Sequence, residues 1–194
     1  MKYSIDLTFK TPEVWVIKVL SDFDSFLQDH ADCERKASAM AMSFIAKCPD
    51  KTEIIPELIE TALEELEHFQ QVYALMEKRG VTLKKEMPQD VYIQQLIACC
   101  RSGKEDRLLD RMLIASIVEC RGAERFRMIA ENIIEAELKL FYKSLWTSEA
   151  KHGTLFVKLA LHYNDEKIVY KRLQELTDLE ADICSKLPIR AALH

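Results

Sequence analysis

The chain has 194 residues, 48% hydrophobic and 30% charged, with 4 glycines, 5 prolines and a net charge of −5. That length suits one domain with a full core, so a single domain over residues 1–194 is expected, and the acidic balance does not favour a nucleic-acid partner. With no 18-residue apolar run and no apolar signal region in Met1-Lys2-Tyr3-Ser4-Ile5-Asp6, we expect a soluble protein of the cytoplasm with no membrane partner.

Periodicity of 3.6 residues and helix stop signals divide the chain into five helical segments. The first runs from Pro12, well placed at a helix start, to Lys47, and stops at Cys48-Pro49-Asp50. A second runs from about Glu53 to Arg79 and stops at Gly80. Residues 80–103 form one long connection, with room for a short helix over Gln89–Cys100. Further segments span about Lys104–Glu131, Ala136–Tyr163 and Glu166–Lys186, the last ending before Pro188. No segment alternates like a strand. A long crossover between the second and third long helices is how ferritin-like bundles are wired. The expected fold is therefore all-α, a ferritin-like four-helix bundle with one long crossover and an additional C-terminal helix. The six cysteines form no CxxC pair, which argues for reduced thiols and against a rubredoxin-like iron site or a zinc ribbon.

A helix facing a bundle core repeats its inward positions every three and four residues. In the second segment that stripe is Leu58, Thr61, Glu65, His68, Val72 and Leu75; in the fourth it is Tyr142, Leu145, Glu149, His152, Phe156 and Leu159. Each places a Glu-x-x-His pair where apolar residues belong. The stripes of the other two long helices are Phe23, Leu27, His30, Glu34, Ala37, Ala41 and Phe44, then Leu109, Met112, Ser116, Glu119, Ala123, Phe126 and Ala130. Each of those contributes one inward glutamate, with Glu124 replacing Glu119 if the third helix is rotated.

An isolated buried carboxylate costs several kcal/mol unless something compensates it, and no Lys or Arg lies on any of the four stripes. Two divalent ions would supply the missing charge, and would leave a net charge of about −1 outside the site. One Glu from each of two helices and Glu-x-x-His from each of the other two is the ligand set of carboxylate-bridged di-iron bundles. Residues i and i+3 lie one turn apart on one face, so one can bridge while the other ligates terminally. Mixed imidazole and carboxylate donors suit iron or manganese better than calcium or a closed zinc site. The metal ligands expected are Glu34, Glu65, His68, Glu119, Glu149 and His152. Around them, His30 reads equally as a core histidine or as a group supporting Glu34. Ala37, Ser116 and Ala123 are small, and Phe126 and Phe156 read as plain core or as an apolar wall.

At these residues the sequence resembles the tRNA 2-methylthio-N6-isopentenyladenosine hydroxylases. The likeness lies in residues 30–37 (HADCERKA), 62–69 (ALEELEHF), 108–126 (LLDR through ECRGAERF) and 141–152 (FYKSL through SEAKH), and extends from about residue 12 to 190. One departure is Gly122-Ala123, where Ser-Cys is usual. The resemblance implies O2-dependent hydroxylation of the isopentenyl group on a hypermodified adenosine beside the tRNA anticodon. It makes the same six residues the ligands of two iron ions, and implies an external electron donor, a reductase, since the chain has no flavin or nicotinamide motif. Monomer and dimer both stay open. The rival readings are a ferroxidase or iron-storage bundle, a peroxide-scavenging bundle, and a helical interaction protein. Basic clusters at Lys78/Arg79/Lys84/Lys85 and Arg121/Arg125/Arg127 give weak support to a tRNA partner. The first, roughly 15–25 Å beyond His68 along the helix, is expected to contact phosphates.

Overall fold

A computed structural model of the chain describes residues 5–194. Among the described residues every regular element is helical: α1 (Glu13–Ser21), α2 (Phe23–Lys47), α3 (Ile55–Arg79), α4 (Val91–Ala98), α5 (Lys104–Asn132), α6 (Ala136–Leu161) and α7 (Glu166–Lys186), with a 3-10 turn at Thr52–Ile54 before α3. None is long and apolar enough to cross a membrane.

The expected first helix is two helices. Asp22 leaves helical backbone at φ −143° and its carboxylate accepts from the Ser25 amide, starting α2 afresh; aspartate at this position satisfies an amide that no helical carbonyl can reach. The other boundaries follow equally local chemistry. Pro56 sits in the first turn of α3, where a missing N–H costs nothing. Gly80 ends the helix at φ 70°, and Val81 N–H reaches back to Met76 O at 2.9 Å; the left-handed position is one that glycine adopts without penalty. Asp90 and Asp165 cap α4 and α7 in the same way as Asp22.

The chain divides into two compact units. One comprises Lys18–Gln89 with Arg190–Leu193, and is built on the α2–α3 hairpin. The other comprises the segment up to Ile17, Asp90–Ile189 and His194, and is built on the α5–α6 hairpin with α4 and α7 packed against it. The expected stripes are buried almost throughout. The exceptions are Leu75, whose place Met76 takes, and Ala37, which is half-buried. The fully buried Phe26, Phe126 and Phe156 contribute about 1.5–3 kcal/mol each by leaving water.

Candidate metal centre

In the unit built on α2 and α3, three donors converge. Glu34 comes from the middle of α2, and Glu65 and His68 lie one turn apart on the inner face of α3; each offers an atom within 4.8 Å of the others. His68 Nδ1 is 3.3 Å from Glu65 Oε2 and 3.7 Å from Glu34 Oε2. The other Glu34 oxygen, Oε1, is 2.6 Å from His30 Nε2, one turn earlier on the same face. His30 is itself fully buried, its ring tilted against Phe26. Ser38 Oγ donates to Ala62 O at 2.8 Å and ties α2 to α3 one turn from these donors.

The unit built on α5 and α6 repeats the arrangement with Glu119, Glu149 and His152, again within 4.8 Å of one another. His152 Nδ1 stands 3.6 Å from Glu149 Oε2. What brings these helices together is the residue after His152. A Cβ on Gly153 would lie 2.5 Å from Cys120 Sγ, and the Ser116 hydroxyl donates to Gly153 O at 2.7 Å. A close approach of α6 to α5 thus falls beside Glu119. At Gly122 a Cβ would meet only Glu149 Cγ, at 3.9 Å, an ordinary contact, so the departure noted there leaves room beside a donor without requiring it.

All six residues are at most 8% exposed. The donors are carboxylate and imidazole without thiolate, a set suited to iron or manganese. The His68–Glu65 and His152–Glu149 separations of 3.3 and 3.6 Å exceed the usual hydrogen-bond length of about 2.9 Å. They match the mutual spacing of donors lying about 2.0–2.2 Å from a common first-row ion. The residues therefore fit such an ion on both chemistry and spacing.

Glu124, the alternative on α5, keeps other company. It is half-buried and accepts from Thr11 N at 3.3 Å, from Thr11 Oγ1 at 2.8 Å and from Arg121. Arg121 corrects a second expectation: it belongs to no surface cluster but is wholly buried. It forks onto Glu180 of α7, with Nε 2.8 Å from Oε1 and Nη2 2.9 Å from Oε2, and also donates to Phe9 O. Burial alone would lower the Arg121 pKa; Glu180 reverses this and holds the guanidinium charged. Tyr92 donates to the same carboxylate at 3.0 Å. Arg125 lies over the Trp15 ring, leaving Arg127 as the surface member of the cluster. Sequence reasoning missed Glu180, although the stripe Val169, Leu173, Leu176, Glu180, Ile183 on α7 has the spacing that reveals an inward glutamate. Burial pushes the Cys120 thiol up to about 11 and the Cys184 thiol up to about 12, and none of the six cysteines is in a disulfide.

The model of the family described as tRNA-(MS2IO6A)-hydroxylase (MiaE) matches residues 3–194. A tRNA 2-(methylsulfanyl)-N(6)-isopentenyladenosine(37) hydroxylase of Pseudomonas putida is 34% identical over 173 residues, covering 89% of this chain and 83% of that protein. Its namesake from Salmonella typhimurium is 24% identical over 222 residues, covering 89% and 81%. Among solved structures, a Synechococcus protein with aldehyde deformylating oxygenase activity superposes with a TM-score of 0.92 over the whole chain and 96% of its own, at 30% identity. The fold is the expected all-α, ferritin-like one.

Proposed function

This chain belongs to the tRNA-(MS2IO6A)-hydroxylase (MiaE) family, and we propose from that membership that it hydroxylates the isopentenyl group of 2-methylthio-N6-isopentenyladenosine in tRNA. It is an enzyme, an O2-dependent monooxygenase. The observation that carries the reading is the repeated buried trio, one Glu and one Glu-x-x-His in each unit, inside a sequence that the family model matches from residue 3 to 194.

Glu34, Glu65, His68, Glu119, Glu149 and His152 would hold two iron ions. Bound there, the irons would supply the redox chemistry by which O2 oxidises an unactivated C–H bond. The balance is two electrons and two protons taken up per O2, with one oxygen atom entering the substrate and the other leaving as water. An external reductase provides the electrons. Within the chain, His30 fixes the Glu34 carboxylate through its 2.6 Å contact, the kind of support that orients a ligand before the metal arrives. A tRNA substrate supports the expected location in the cytoplasm.

The test is mass spectrometry of tRNA nucleosides from cells lacking the gene, complemented with wild type or Glu65→Ala. The hydroxylated nucleoside should vanish on deletion and return with wild type alone, and purified Glu65→Ala should retain well under two irons per chain. Unchanged nucleosides on deletion would refute the substrate. Full activity with two irons in Glu65→Ala would remove Glu65 from the ligand set.

A further inference from the structure

A chain of net charge −5 that acts on tRNA must concentrate its positive charge somewhere. α6 is where it does so. Its inner face carries Glu149 and His152; its outward face carries Lys139, Lys143, Lys151 and Lys158, all exposed, against the single exposed acid Glu137. Several basic residues of other elements are paired with neighbouring acids: Arg35 and Lys36 with Asp32, Lys186 with Asp182, Arg79 with Asp24. Among the described residues no ion pair engages the four lysines of α6. The outward side of α3 is the opposite case, with Glu60, Glu64 and Glu67 exposed and Glu57 half-buried, and would repel a phosphate backbone.

Resting on the tRNA-hydroxylase reading, we infer that the outward face of α6 is the surface on which the tRNA backbone docks. Nineteen residues separate Lys139 from Lys158, about 28 Å at 1.5 Å per residue. Along that length a nucleic-acid strand at about 3.4 Å per phosphate presents roughly eight phosphates. Arg127 of α5 adjoins the face, its guanidinium 5.9 Å over the half-buried Trp146 ring, but Glu131 partly offsets its charge at 3.8 Å. RNA lying here is separated from Glu149 and His152 by about one helix diameter, roughly 10–12 Å. Lysine–phosphate contacts carry affinity and register without sequence information, which suits an enzyme that reads its target through the modified base.

The cluster at the end of α3 is the competing surface. Lys78, Lys84 and Lys85 are exposed there, but beside the exposed acids Glu77 and Glu86, with Arg79 already held by Asp24. The experiment measures binding of a modified anticodon stem-loop to iron-loaded wild type, Lys143→Glu/Lys151→Glu and Lys84→Glu/Lys85→Glu across a salt series. Losing two phosphate contacts weakens binding roughly tenfold or more near 0.15 M salt and makes the log–log salt slope shallower by about 1.4–1.8. We expect this of the α6 variant alone, with its iron content unchanged and with Lys143→Arg/Lys151→Arg restoring affinity. An α6 variant that binds with wild-type affinity and slope overturns the surface while leaving the tRNA reading intact. Wild type that binds no tRNA overturns the reading and the surface together.

Discussion

Two groups of buried carboxylates stand in this molecule, and they face different things. Glu180 and Asp110 are wholly buried and each faces arginine: Arg121 for the first, Arg101 and Arg172 for the second. Glu34, Glu65 and Glu149 are almost as deep, and the ion-pair distances recorded for them run to imidazoles. The chain thus has a ready device for burying a carboxylate for structural reasons, a forked guanidinium supplied from a neighbouring helix. On α5 it uses that device on the side facing α7 and builds a carboxylate–histidine trio on the side facing α6. An imidazole compensates a carboxylate fully only when protonated, whereas a divalent ion does so as part of its binding. The contrast separates carboxylates that hold the fold from those we propose as metal ligands.

The sharpest way to break the comparison is to exchange the two faces of α5. Glu119→Ala should abolish the di-iron absorption bands and lower activity by at least a hundredfold. Glu124→Ala, which removes only the acceptor for Thr11 and Arg121, should keep both the bands and the two irons. The reverse pattern would move the metal site to the face that carries Arg121. The next effect in size concerns the arginine side. Arg121→Met leaves Glu180 buried without its guanidinium and frees Phe9 O and Thr11 as well. Breaking a buried pair in this way costs about 3–5 kcal/mol, read as a lowered urea midpoint in protein that still binds iron below its transition. Arg121→Met/Glu180→Leu should recover much of the loss, and a double variant no more stable than the single would mean the network does more than neutralise charge.

How much of this was readable beforehand depends on whether the signal was periodic. Burial of the four stripes was, because a residue three or four places from two apolar neighbours on a helix shares their face; Leu75 failed only because Met76, one residue on, covers the same gap. Glu119 fits that rule directly, three after Ser116 and seven after Met112, whereas Glu124, five residues or about 140° further round, faces inward only if the whole helix is rotated. Thr11, which occupies Glu124, lies more than a hundred residues away. The break at Asp22 was missed because the apolar pattern runs through it and one capping carboxylate outweighs the pattern locally. Arg121 looked like surface charge because its partner Glu180 arrives on another helix, and pairing across elements leaves no trace in spacing. The lysine face of α6 was overlooked for a different reason: its members are spread over nineteen residues, so no short window looks basic.

The smallest effect tests the arginine side through pH. Burial by itself would raise the Asp110 carboxyl, but hydrogen bonds from Arg101 and Arg172, together with the Arg101 amide at 2.8 Å, hold it at about 2 against an ordinary value of 3.8. A carboxyl whose pKa is depressed by folding adds stability above its unfolded pKa. That stability disappears as the pH falls through the folded value, here between about 4 and about 2. The difference corresponds to about 2 kcal/mol. Metal-free protein is the right sample, because iron would bring the pH dependence of its own ligands into the curve. Asp110→Asn should be destabilised by about 2 kcal/mol at neutral pH, and the gap between variant and wild type should close as the pH is lowered from about 4 to about 2. Wild-type and variant urea midpoints that run parallel over that range would mean that Asp110 is not held ionised by its arginines. The distinction between arginine-compensated and metal-awaiting carboxylates would then fail at its structural end, whatever Glu119→Ala does at the other.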